Sequence, residues 1–446
     1  MKKTQDRFEY LTTTPVPKLI TTLAIPTIIS MLVTGIYNTA DTFFVGKIST
    51  QATAAVGLVF PVMAIIQALG FFCGHGSGNY LSRMLGAGKK DEANNMASTG
   101  FALSLILGVI VAVVGIALSP HIAKVIGATD STMEDTLSYM RIIMLGAPFM
   151  MGQFVINNQL RFQGSAMFAM IGLMCGAVIN IVLDPLLILT FDMKVKGAAI
   201  ATVSGQIASF IVLLIGSRRG ENIRLAIHNI HINGHYLYEI LNGGIPSLFR
   251  QGLAAVATML LNHAAGDLGS DAAIAGMSVV TRVMMLVCSA LIGFGQGYQP
   301  VCSFNYGANL KKRVREGYFF CVKYGTIFLF VVGALCFAFA PQIVGWFRDD
   351  PDVIAVGKVA LRCQAAVLFL NATTIITNMM LQSIGKGFKA SVTASARNGI
   401  FFIPLILILP KAFGLLGVEI TQSCADVLSL FLSVPLAVSE LKKMKE

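Results

Sequence analysis

Four residues carrying oxygen ligands lie inside apolar stretches of the first half of the chain: Asp41, Asn180, Asp184 and Thr202. Asp41 sits in residues 15–46, PVPKLITTLAIPTIISMLVTGIYNTADTFFVG, long enough to cross a bilayer as one helix. A carboxylate there costs roughly 2.5–3.5 kcal/mol on insertion scales, so it points to a function and to a partner. Tyr37 and Asn38 precede it by one turn and share its face, as Asn180 does with Asp184. Pro185 frees the carbonyl of Ile181 from its helix bond and so adds a further oxygen. Counted from the ends of their apolar runs, Asp41, Asp184 and Thr202 fall at one depth. Two carboxylates, an amide and a hydroxyl at one level form an oxygen cage. In a poorly hydrated site two neighbouring carboxylates either share a proton or hold a cation between them, which predicts a Na⁺ or H⁺ site. The competing readings are structural. Asp41 could be solvated near a helix end, and Asp184 could cap or pack ahead of its proline.

These residues need membrane spans to position them, and the chain supplies them. Of 446 residues, 55% are hydrophobic and 12% charged, and the mean hydropathy is +0.74. Apolar runs of at least about 20 residues occur twelve times, which predicts an all-α polytopic membrane protein. The first run follows a polar stretch, exceeds a signal-peptide core in length and has no small-residue cleavage site after it, so it reads as a retained span. The net charge of +11 would suggest nucleic acid in a soluble chain. Here the basic residues crowd the N-terminus, the loops near 83–95, 217–239 and 305–317, and the C-terminus, and the opposite loops hold few. The positive-inside rule then places both termini in the cytoplasm of a cell whose inner membrane the chain spans, and nucleic acid drops out as a partner.

The halves repeat at an offset close to 220 residues. Pro26 in IPT answers Pro246 in IPS, GHGSG at 74–78 answers GFGQG at 293–297, Pro120 in SPHI answers Pro341 in APQI, and Gly164 answers Gly385. Six spans per half is an even number, so the copies enter the membrane in the same direction, as two lobes about a pseudo-two-fold along the membrane normal. Residues 1–216 form the first lobe with the cation or proton site, 217–239 a cytoplasmic linker, and 240–446 the second lobe.

The second half lacks the acids of the first: Leu261 or Asn262 stands where Asp41 would be, and Leu405 and Phe401 where Asp184 and Asn180 would be. It carries Arg250, Arg282 and Arg397 near mid-span instead, with Asp426 level with them and Glu419 higher. Either these five tie the helices of the lobe together, or the surplus positive charge faces the cleft and favours an anionic substrate. On the fourth span, Gln153 and Asn157 either orient a ligand or pack, beside methionines that suit variable apolar molecules or simply fill the core. His228, His231 and His235 have metal-like spacing but fall in a solvated linker, and the eight cysteines form no CxxC pair. The acidic cluster Asp349, Asp350 and Asp352 is broken by Pro351 and lies on the wrong side for a membrane-embedded prenyltransferase, so no enzyme is expected.

With its twelve spans, its repeat, YNTADTFFVG at the end of the first span and NIVLDP at 180–185, the chain resembles the multidrug and toxic compound extrusion (MATE) family in its prokaryotic DinF-like branch. The resemblance implies that Asp41, Asn180, Asp184 and Thr202 bind Na⁺ or a proton. It also implies that the cleft beside Tyr37, Gln153 and Asn157 takes small organic, often cationic, drugs. Other branches couple the ion through an acid in the second lobe, where this chain has Asn371 and Asn378. The expectation is an antiporter working by alternating access, hinged at Pro26, without a cofactor and in contact with membrane lipids. A flippase or exporter of a lipid-linked or anionic substrate is the alternative. Nothing in the sequence fixes the oligomeric state, and a monomer is compatible with it.

Overall fold

The structure is a computed structural model. It describes residues 7–219, 222–268 and 271–444; the side chains of 36–43 and of Thr50 lie outside that description. The described residues are mostly helical and contain no strand. Twelve helices are long and apolar enough to cross a membrane. In chain order they are α1 (Val16–Gly46), α2 (Thr50–Gly86), α3 (Lys90–Ala117), α4 (Met133–Phe162), α5 (Ala166–Pro185), α6 (Lys194–Ser217), α7 (Gly234–Leu268), α8 (Asp271–Gly307), α9 (Lys311–Ala338), α10 (Pro351–Ser383), α11 (Gly387–Phe413) and α12 (Leu415–Lys443). In lipid no water can satisfy backbone polar groups, so helices that bond internally are the structure an apolar run of this length must adopt.

The starts of the helices follow local chemistry. Ser49 caps α2 by accepting from the backbone N–H of Ala52 at 3.0 Å. Asp350 caps α10 by accepting from Asp352 N–H at 3.0 Å, with Pro351 at the first helical position, where no N–H is needed. The acidic cluster near residue 350 is thus partly a helix start.

Packing inside the lobes is the same twice over. In the first lobe α1 lies on α5, α5 on α6, α6 on α4, and α4 on α2 and α3; in the second α7 lies on α11, α11 on α12, α12 on α10, and α10 on α8 and α9. Details repeat too. Asn157 Nδ2 donates to the carbonyl of Ala169 at 2.9 Å, and Asn378 Nδ2 to that of Ala390 at 2.6 Å. Short proline-led helices, Ser119–Val125 and Ala340–Phe347, follow the third span of each half. The turns after α4 and α10 each pass through a glycine of positive φ, Gly164 at 82° and Gly385 at 79°.

Between the lobes α1 packs on α8 and α2 on α7, while α2 and α8 meet on the pseudo-two-fold. The meeting point is tight. A Cβ on Gly86 would stand 2.0 Å from the carbonyl oxygen of Phe304, and a Cβ on Gly307 would stand 2.0 Å from that of Arg83. Only glycine allows this crossing. Around it, Arg83 Nη2 pairs with Glu239 at 2.9 Å, Arg83 Nη1 donates to the carbonyl of Ser383 at 3.2 Å, and Ser303 Oγ donates to Asn79 Oδ1 at 3.2 Å. These bonds close the bundle at the end that holds both termini.

One segment departs from the sequence-based expectation in two respects. The linker is shorter than 217–239, because α7 begins at Gly234. It is also strapped to the first lobe: Ile223 N–H donates to Gln163 Oε1 at 2.7 Å, Ala226 N–H to Ser98 Oγ at 3.2 Å and His231 N–H to Thr99 Oγ1 at 2.9 Å. Buried side-chain acceptors at the ends of α3 and α4 hold a chain that hydropathy alone reads as solvated loop.

Candidate cation and substrate sites

Three of the four proposed cation ligands meet inside the first lobe. α5 carries Asn180 and Asp184 on one face, four residues apart, and α6 brings Thr202 against them. Their exposures are 1%, 0% and 3%, so the carboxylate is sealed from bulk solvent. With the Asn180 amide turned to suit its neighbours, Nδ2 donates to Asp184 Oδ2 at 3.3 Å and Oδ1 accepts from Thr202 N–H at 3.2 Å. Close approach of α5 to α6 is what brings these side chains together. Beyond Pro185 the fifth span continues as a π-helical turn, Leu186–Thr190, the kind of local widening that proline and functional sites favour. Asp41 and Tyr37 have side chains outside the described residues; their helix, α1, packs along α5. Among the described residues no cluster of three or more His, Cys, Asp or Glu could hold a metal ion.

Gln153 and Asn157 lie one turn apart on α4, each 3% exposed. Gln153 Nε2 donates to Gln206 of α6, which leaves Gln153 Oε1 a buried acceptor without a donor. The Nδ2 of Asn157 is committed to the backbone of α5. Gln206 escapes a reading of the sequence because its partner is on another helix.

Pro26 lies inside α1, which continues through it, and hydroxyls flank it: Thr27 Oγ1 donates to the carbonyl of Leu23 at 2.7 Å and Ser30 Oγ to that of Pro26 at 2.8 Å.

In the second lobe the five charged residues separate into different settings. Arg397 Nε pairs with Asp426 Oδ1 at 2.7 Å, and Asn371 and Gln422 donate to the same carboxylate at 2.8 and 2.9 Å. Arg397 sits in a π-helical turn, Ala396–Ile400. Arg250 turns instead to Asn378 Oδ1, at 3.3 Å. Arg282 is exposed and Glu419 buried, and neither has an ion pair among the described residues. A single network of all five is therefore not formed; one ion pair with two amide partners is.

Hydropathy ends the fourth span short of Arg161, but α4 runs to Phe162 and buries Arg161 to 4% exposure. It lies in the polar run NNQLRFQG, which leads into the Gly164 turn.

A helical bundle of two pseudo-symmetric six-span lobes, with a sealed polar cluster in one of them, defines a polytopic membrane transporter. The chain belongs to the MATE family: the MatE family model matches residues 26–186 and again 246–408, one match per lobe. It is 30% identical to the multidrug export protein MepA of Staphylococcus aureus strain MSSA476, over 93% of this chain and 91% of that one. Its structure resembles a multidrug resistance MATE transporter in an outward-facing conformation, with a TM-score of 0.91, 28% identity and 98% of each chain covered. It also resembles a MOP superfamily transporter from Pyrococcus furiosus, with a TM-score of 0.93, 27% identity, and 100% of each chain covered. The family is one of multidrug efflux transporters, not of enzymes, and its members need no cofactor.

Proposed function

We propose that this protein is an antiporter that expels organic, often cationic, compounds in exchange for inward flow of H⁺ or Na⁺, by alternating access between its two lobes. The observation that carries the reading is the sealed Asp184, bonded to Asn180 beside Thr202 on helices that pack together and next to α1, the helix of Asp41. A carboxylate isolated from water is retained where its charge is taken up by a proton or a cation. The absence of these acids from the second lobe assigns coupling to the first. Residues 1–216 are the coupling lobe in this reading, and both termini face the cytoplasm.

The substrate would bind in the cleft beside Tyr37, where the donor-less Oε1 of Gln153 suits a cationic group, with Asn157 holding that wall against α5. Ion binding at Asp41 and Asp184 drives transport only by preferring one lobe arrangement, because a ligand shifts an equilibrium by its differential affinity for the two states. Closure at the end that holds the termini supports an arrangement with the cleft open to the other side.

The test is ethidium efflux from cells expressing wild type, Asp41→Asn and Asp184→Asn, with the sodium and proton gradients collapsed separately. Efflux that dies in both variants and follows one gradient supports the reading and names the ion. Efflux that persists in both at the wild-type rate overturns the assignment of the site.

A further inference from the structure

Two arginines, one from each lobe, bond to side-chain amides of the second lobe and to no acid among the described residues. Arg161, on α4, donates through Nη1 to Gln296 of α8 and through Nη2 to Asn158, and its buried Nε has no partner. Arg250, on α7, donates through Nη1 to Asn378. His75, on α2, is fully buried; its Nδ1 faces the carbonyl of Phe71 at 3.2 Å, and Nε2 has no partner. Packing ties the three together: the His75 ring meets that of Phe162, the residue after Arg161, at 6.0 Å between centroids. Gln299, three residues from Gln296 on α8, donates to Gln382, one turn from the Asn378 that holds Arg250. Among the described residues neither arginine forms an ion pair, whereas Arg83 and Arg397 each have a carboxylate.

A purely structural role does not need the charge. The position that answers Arg161 in the second half is Gln382, also buried, and this neutral amide donates to the carbonyl of Gly243 at 2.6 Å and to Ser247 Oγ at 2.8 Å. Burying the guanidinium of Arg161 without a counter-charge, in the same region as the half-buried Arg250, is costly, and the cost falls when an anion binds there. Guanidinium groups also present paired N–H donors matched to carboxylate and phosphate oxygens.

We infer that Arg161, Arg250 and His75 form an anion site shared between the lobes, which takes a carboxylate or a phosphate-like oxyanion and stabilises the closed arrangement. Because its arginines belong to different lobes, the site is complete only when they are together, so an occupant favours that state. The oxyanion is either free in solution or the acidic end of a zwitterionic substrate. The inference goes beyond the antiport reading and is tested first by binding, which needs no transport.

The purified full chain in detergent is melted in phosphate and in sulfate against chloride at equal ionic strength. The wild type should gain at least about 1 °C from either oxyanion, since a ligand of the folded state raises its melting point. The gain should vanish in Arg161→Gln and Arg250→Gln and survive in Arg161→Lys, which keeps the charge. No oxyanion-specific gain in the wild type, or an equal gain in both glutamine variants, overturns the inference. Efflux then separates the sources. A several-fold greater loss for an amine-carboxylate compound than for ethidium in Arg250→Gln assigns the site to the substrate's carboxylate. Equal losses for the two compounds, with the oxyanion gain present in the wild type, assign it to a free ion.

Discussion

At the scale of single residues, an internal charge is met either by an opposite charge, as at Arg397, or by amides alone, as at Arg161 with Gln296 and Asn158. Arg397 is compensated directly by Asp426, whose carboxylate also accepts from Asn371 and Gln422. Asp426→Asn should therefore destabilise the protein by about 3 kcal/mol, the low end for a buried pair, because it leaves a partly buried guanidinium without its counter-charge. Thermal unfolding of the purified variant checks this, and an unchanged melting point would mean that the pair contributes nothing. Asn180 and Asp184 could be read from the sequence because their four-residue spacing fixes a shared helix face, and Thr202 because depth is countable from a span end. Gln206, His75 and Arg161 could not be read in that way. Their roles depend on which helices are neighbours, and residue type and spacing carry no such information.

At the scale of elements, α1 joins the two functions proposed for the first lobe, since it carries Tyr37 and Asp41 and packs on α5 within its lobe and on α8 of the other. Pro26 has no N–H to give to the carbonyl one turn back, and the hydroxyls of Thr27 and Ser30 fold onto backbone carbonyls on either side of it. That weakened turn is where α1 is free to bend. Pro26→Ala restores the bond and should slow ethidium efflux several-fold, while an ion-dependent rise in melting point persists. Efflux at the wild-type rate would place the flexing element elsewhere. The helices themselves were legible in hydropathy, and so was the repeat. Hydropathy did not mark the broken turns at Leu186–Thr190 and Ala396–Ile400, where apolar sequence continues while the hydrogen-bond pattern changes.

At the scale of the molecule, the lobes meet most tightly at the α2–α8 crossing and stay in contact along α1 and α8. Gly86→Val places methyl groups where the carbonyl of Phe304 stands and should force the terminus-bearing end apart. A cysteine introduced at Ser303, in a chain otherwise freed of cysteine, should then react faster with a thiol reagent added from that side than it does beside Gly86. Equal reaction rates would show that the crossing yields without opening. The Arg83–Glu239 pair beside it adds a polar latch to this steric contact.

Under the proposed alternating access, the reciprocal glycine contact would also set the mechanical advantage of the transporter. A crossing at one end of the bundle acts as a fulcrum, with the full length of the helices as its lever arm. Over a hydrocarbon core of about 30 Å, a relative tilt of about 10° moves the far ends by about 5 Å, which is an aperture on the scale of a small organic molecule. The same leverage works in reverse. A molecule wedged at the mouth needs little force to spread the lobes, whereas opening the glycine crossing takes the short arm and the larger force. In that mechanism the fold would make one gate compliant and the other stiff before any ligand arrives.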